Sequence, residues 1–168
     1  SLEQADLIAQ LMKESNLTYL EITLRNDNAM TVLSHILSNH PTLIVGVGTI
    51  TKSEDMFSVA ESGAHFGVTP GMNSALYAAM DNSSLPIIPG VSTISEAMEA
   101  MEHGCDYVKL FPASQIGLKT VKSWSGPLEN ISICATGGLD IDSAKEWLEV
   151  PQVKMVGGGW MAPKDILN

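Results

Sequence analysis

No apolar run in the chain approaches the roughly 18 to 20 residues needed to cross a bilayer, so no membrane-spanning helix is expected. Basic residues are scarce. Nine Lys and Arg against 19 Asp and Glu give a formal net charge of −10, and with no basic cluster anywhere nucleic acid is excluded as a partner. An anionic substrate therefore needs positive groups that are local. Cysteine is nearly absent: Cys105 and Cys134 lie in apolar stretches without CxxC spacing and read as small core residues. His35, His40, His65 and His103 are scattered, with neither HxH nor HExxH spacing, so each reads as a surface or turn residue and no metal site is expected. Positions 1–10 lack the basic segment and apolar stretch of a secretory signal, which makes a cytoplasmic location the expectation.

What is present is alternation. Runs rich in Val, Ile and Leu at 19–24, 43–48, 65–69, 86–89, 106–111, 131–136 and 153–157 read as strands. Helical patterns lie between them, clearest at 2–14, 28–37, 53–61, 96–102 and 141–148. Thr51 or Ser53 before Glu54, Ser95 before Glu96, and Asp140 supply N-cap chemistry. Gly63 and Gly104 each follow a helix, where a left-handed residue closes the last turn. The Met-rich stretches, such as Met98 and Met101, read as helix packing.

Repeated β/α units of this kind build a parallel sheet. No low-complexity linker interrupts the 168 residues, so a single domain over 1–168 is expected. A closed β/α barrel has typically eight strands over about 250 residues, more than this chain supplies. The pattern also opens on a helix and reaches the start of another at 163–167. The expected fold is therefore α/β, a parallel (β/α)8 TIM barrel lacking its first strand and most of its last helix. A doubly wound open sheet is the alternative, but no GxGxxG turn follows an early strand.

Strand residues alternate faces, so Leu20-Glu21-Ile22-Thr23-Leu24-Arg25 sends Glu21, Thr23 and Arg25 one way and the apolar set the other. An acid and a base near the C-terminal end of a barrel strand stand where active sites form, although a structural ion pair gives the same pattern. In Val45-Gly46-Val47-Gly48-Thr49 the glycines allow a ligand near the backbone and Thr49 adds a hydroxyl. Lys109 lies in the middle of the apolar run Tyr107-Val108-Lys109-Leu110-Phe111-Pro112. Desolvation there disfavours an ammonium, and a neutral amine attacks carbonyls. A lysine paired to a buried acid, or one that snorkels out, is the structural alternative. Thr136-Gly137-Gly138 and Gly157-Gly158-Gly159-Trp160 follow the last two strands, where barrels bind phosphate with backbone N–H groups.

Taken together, Leu20-Glu21-Ile22-Thr23-Leu24-Arg25, Gly46-Val47-Gly48-Thr49, Thr69-Pro70-Gly71, Pro89-Gly90-Val91-Ser92-Thr93, Lys109-Leu110-Phe111-Pro112-Ala113, Thr136-Gly137-Gly138 and Gly158-Gly159-Trp160 resemble the 2-keto-3-deoxy-6-phosphogluconate (KDPG) aldolase family, in order over nearly the whole chain. The resemblance implies a class I, metal-independent lyase of the Entner–Doudoroff pathway without a cofactor. Lys109 would form the Schiff base with pyruvate or the 2-oxo acid, and Glu21 would move protons through water. Arg25 and Thr49 would hold the carboxylate, Pro70, Phe111 and Thr136 would line the pocket, and Gly137, Gly138, Gly158 and Gly159 would surround the phosphate. A homotrimer of barrels is implied as well. The family commonly has serine before the tryptophan, where this chain has Gly159.

Four functions follow from these features. Reversible cleavage of KDPG to pyruvate and glyceraldehyde 3-phosphate leads. The same family also cleaves 4-hydroxy-2-oxoglutarate (KHG), which carries no phosphate. A phosphosugar isomerase using Glu21 as a base, and a barrel that binds phosphorylated metabolites without reaction, are the readings from other classes.

Overall fold

The computed structural model describes residues 1–162, and the helix expected at 163–167 lies outside them. The described chain divides into two compact units, Ser1–Thr69 with Asn73–Ile87, and Pro70–Met72 with Ile88 onward.

The first unit begins with α1 (Leu2–Glu14), started by a reciprocal capping box between Ser1 and Gln4 and burying Ala5, Ala9 and Met12 at helical spacing. β1 (Tyr19–Thr23) leads into α2 (Ala29–Asn39), whose Leu33 and Ile36 are fully buried. Truncating a side chain such as Leu33 costs about 2–5 kcal/mol, because the cavity left behind adds to the lost transfer energy. β2 (Ile44–Gly48), α3 (Ser53–Glu61), β3 (Phe66–Val68) and α4 (Ser74–Asp81) follow, and the unit ends at Ile87, the first residue of β4 (Ile87–Ile88). The strands form a sheet in the order β1-β2-β3-β4, and the β1–β2 and β2–β3 pairings are parallel, with Tyr19 opposite Ile44 and Thr23 opposite Gly48. β2 is buried on both faces, as parallel strands covered by helices are.

The second unit holds β5 (Gly90–Val91), α5 (Ile94–Glu102), β6 (Tyr107–Leu110), α6 (Ala113–Ile116), α7 (Leu118–Trp124), β7 (Ser132–Thr136), α8 (Ile141–Leu148) and β8 (Val153–Gly157), ending in a 3-10 turn at Gly159–Met161. Its sheet runs β5-β6-β7-β8, all parallel. Val108, Leu110, Val121, Ile133 and Ala135 are fully buried in a core completed by Trp124 and Trp147. Buried Gln152 fastens the start of β8, accepting from Ser125 at 2.8 Å and donating to the Leu128 carbonyl.

All seven expected strand runs are strands, and the run at 86–89 is followed by a separate short strand, β5. Pro89 divides the two, since it has no N–H for a ladder; its carbonyl still accepts from Lys109 N at 2.8 Å. Two caps differ from expectation. Lys52, not Thr51 or Ser53, precedes α3 and makes no side-chain cap bond, and α5 starts at Thr93 rather than Ser95. Thr93 has Glu96 three residues on, so a reciprocal box forms there. Asp140 caps α8, and Gly63 and Gly104 are left-handed with φ 85° and 78°. Cys105 and Cys134 are half-buried rather than fully buried; Cys105 and Met101 pack on the core and Met98 is exposed.

Candidate active site

In the second unit, β6 is buried on both faces and carries Lys109 in its middle, 7% exposed. Alternation puts Phe111 on the same side, and the Lys109 Nζ lies 5.2 Å from the centre of the Phe111 ring. Register carries that side across the sheet: Lys109 stands opposite Gly90 on β5 and Cys134 on β7, with Thr136 two residues further along β7 opposite Gly157. Gly90 has no room for a side chain, because the Pro70–Gly71 backbone passes directly over its Cα. Pro70 is thereby held beside the lysine.

β7 ends in Thr136, which is buried, and the chain turns through Gly137 and Gly138, both left-handed at φ 95° and 71°. A Cβ on Gly137 would stand 3.0 Å from the Phe111 ring, so the turn packs directly on that ring. After β8, Gly158 lies under the Trp160 ring, whereas among the described residues Gly159 has nothing within 4 Å of where a side chain would start. Among the described residues, Thr136 Oγ1 and Trp160 Nε1 are buried without a hydrogen-bond partner. Orphan polar atoms of this kind mark places where a ligand atom or water belongs.

In the first unit, Glu21 stands in the middle of β1, opposite Gly46, and Thr49 directly follows the end of the neighbouring parallel strand β2. The Glu21 carboxylate leans over Gly48, and the Phe66 ring lies over Gly46, reaching toward Tyr19 with ring centres 6.5 Å apart. The glycines of β2 thus make room for protein side chains, which corrects the expectation of a ligand against that backbone. Thr49 has φ 63°, a left-handed conformation that a β-branched residue adopts at a cost and that concentrates at functional sites. Arg25 is exposed in the turn beyond β1, its N–H donating to the Thr23 carbonyl at 2.8 Å. It is not on the strand face, and among the described residues no ion pair joins it to Glu21.

The second unit therefore brings together Lys109, Phe111, Pro70, Thr136, Gly137 and Gly138, with Gly158 and Gly159 following the next strand. Glu21, Thr49 and Arg25 belong to the first. Sequence reasoning missed a cluster elsewhere: His35 and His40 both donate from Nε2 to Asp6 Oδ1 at 2.8 Å, joining the residues before and after β1. His65 is also engaged, its Nδ1 accepting from Val45 N at 3.0 Å. Among the described residues no group of three ligating side chains is placed to hold a metal ion, and no helix is long and apolar enough to cross a membrane.

A family model described as KDPG and KHG aldolase matches residues 1–168. The 2-dehydro-3-deoxy-phosphogluconate aldolase of Pseudoalteromonas atlantica is 36% identical over 162 residues, covering 96% of this chain and 75% of its own length. The KHG/KDPG aldolase of Escherichia coli is 34% identical over 168 residues, covering 99% and 79%. Among solved structures, KDPG aldolase from Legionella pneumophila, with pyruvate captured at low pH as a covalent carbinolamine, matches with a TM-score of 0.95 at 33% identity, over 99% of this chain and 82% of that one.

Proposed function

The chain belongs to the KDPG and KHG aldolase family, and from that premise we propose that Lys109 is its Schiff-base lysine and Glu21 its proton carrier. It is a carbon–carbon lyase with the parallel α/β fold of the KDPG aldolases. Its reaction is the class I cleavage of KDPG to pyruvate and glyceraldehyde 3-phosphate, run reversibly.

The Lys109 amine adds to the C2 carbonyl of the 2-oxo acid, and loss of water from the carbinolamine leaves an iminium. Glu21, acting through a water, takes the proton of the C4 hydroxyl as the C3–C4 bond breaks. The bonding pair moves into the iminium and leaves the enamine of pyruvate, while C4 departs as the aldehyde. Return of the proton to C3 and hydrolysis release pyruvate and restore the amine. Thr49 and Arg25 orient the carboxylate, Arg25 as a two-pronged donor. Pro70, Phe111 and Thr136 shape the pocket. Gly137, Gly138, Gly158 and Gly159 receive the phosphate with backbone N–H groups, the local positive potential that a chain of net charge −10 needs.

One observation carries this reading: a lysine 7% exposed in mid-strand, with an aromatic ring on its own face. A homotrimer in the cytoplasm, acting on a phosphorylated 2-oxo acid, belongs to the same proposal and is supported by the family resemblance. Incubation with pyruvate and borohydride tests it. The aldolase becomes irreversibly labelled and inactive, whereas an isomerase using Glu21 as a base, or a barrel that binds without reaction, takes up no label.

A further inference from the structure

The glycine turn that follows β7 is bordered by a hydroxyl that the mechanism does not use. Ser114, in the first turn after the Phe111–Pro112 segment, donates its backbone N–H to the Gly137 carbonyl at 3.1 Å. Its side chain reaches over the next residue. A Cβ built on Gly138 would fall on Ser114 Oγ and lie 2.9 Å from Ser114 Cβ, so the hydroxyl occupies the space above the Gly138 Cα. Elsewhere in this chain helical hydroxyls return to the carbonyl four residues back, as Ser34 does to Met30, Ser58 to Glu54 and Thr120 to Ile116, at 2.9–3.0 Å. The residue four before Ser114 is Leu110, in β6 rather than in a helical turn. Ser114 is exposed, and among the described residues its hydroxyl has no hydrogen-bond partner. The other groups assigned to the phosphate are glycines, which supply backbone donors alone.

We propose that Ser114 is a specificity-determining residue, its Oγ–H donating to a phosphate oxygen of the substrate held in the Gly137–Gly138 turn. The inference rests on the Schiff-base aldolase reading and adds the selection of substrate class. The hydroxyl makes the site prefer 2-oxo acids ending in a phosphate over those ending in a carboxylate, because it approaches from the β6 side an oxygen that a shorter substrate does not place there. Held over Gly138 by its own backbone bond to Gly137, the donor is in position before the ligand arrives.

The test compares the parent protein with Ser114→Ala and with Ser114→Thr, which keeps a hydroxyl. The readout is the ratio of kcat/KM for KDPG to kcat/KM for KHG. One hydrogen bond to a charged oxygen corresponds to roughly a tenfold change, so Ser114→Ala lowers the ratio about tenfold, mostly through KM for KDPG, and Ser114→Thr restores most of it. Inorganic phosphate, as a competitive inhibitor, weakens in the alanine variant by a similar factor. A ratio that moves less than about twofold, with phosphate inhibition unchanged, overturns the assignment. Failure of the aldolase reading is separate, since it shows as a parent protein that takes no borohydride label from pyruvate. Calorimetric titration of the parent and Ser114→Ala with inorganic phosphate then still decides: weaker binding to the variant supports Ser114, and equal or absent binding overturns it.

Discussion

The Glu21 carboxylate lies over the Cα of Gly48, in the volume that a side chain at position 48 would fill. A glycine on β2 thus sets where the acid of β1 can stand. Gly48→Ala should push the carboxylate aside with little change in the buried apolar surface. Misplacing a catalytic group by about 1 Å costs on the order of 100-fold, so kcat is expected to fall by that order while pyruvate labelling persists. Unchanged turnover would show that the room above Gly48 has no part in the chemistry.

Removing the charge of Glu21 while keeping its shape tests the group itself. Glu21→Gln is expected to lower kcat by roughly 10² to 10⁴-fold, the usual range for a lost general acid–base. Near-normal turnover in steady-state assays would make Glu21 structural.

Asp6 is held below the ordinary aspartate value by the bond from His40 first and that from His35 second. A carboxyl lowered on folding stabilises the native state at pH above its unfolded value, and that contribution is lost as pH falls through the lowered folded value. Asp6→Asn should therefore lower Tm at pH 7, with the gap to the parent closing on acidification below about pH 4. Thermal scans across that range check it, and a gap constant with pH would contradict it.

The α5 cap offers an independent stability test. Burial pushes the Glu96 carboxyl up, but the bonds it accepts from Ser92 and Thr93 outweigh that and hold it below the ordinary glutamate value. Thr93→Ala removes one half of the box and should cost about 1 kcal/mol in denaturant unfolding, as N-cap losses typically do. No change in the unfolding midpoint would mean that the box adds nothing to stability.

Among the described residues nothing lies within 4 Å of a side chain's starting point at Gly159. Gly159→Ser should fit without strain and raise kcat/KM for KDPG by a factor of about 2 to 10, the weight of one ordinary hydrogen bond. A fall in that constant would place the hydroxyl away from the phosphate.

Much of this was legible in the residues and some could not be. The bounds of α1, α3 and α8 agree with their patterns because each has a cleanly amphipathic face, and Lys109 stood out because charge is rare in a strand buried on both sides. α4 was not expected, since Ser74-Ala-Leu-Tyr-Ala-Ala-Met is nearly continuous in small and apolar residues and shows no polar face; its Asn73 cap, bonded to Leu76 N, was the available signal. α6 and α7 are short pieces on either side of Gly117 at φ 85°, too brief for a period to register. The left-handed backbone at Thr49 has no local cause, since a β-branched residue is a poor choice for it. Asp6 and its histidines are 29 and 34 residues apart, and Ser114 meets Gly138 only because β6 and β7 are neighbours. Contacts of that kind are made by the fold, and no local pattern announces them.

The central claim is that Lys109 carries the covalent chemistry. The protein is incubated with pyruvate and borohydride, digested, and the added reduced three-carbon acid is located by peptide mass spectrometry. The label is expected on Lys109 and on no other lysine, with loss of activity in proportion to labelling. Label on Lys119, Lys122, Lys145 or Lys164 with Lys109 unmodified would contradict the account.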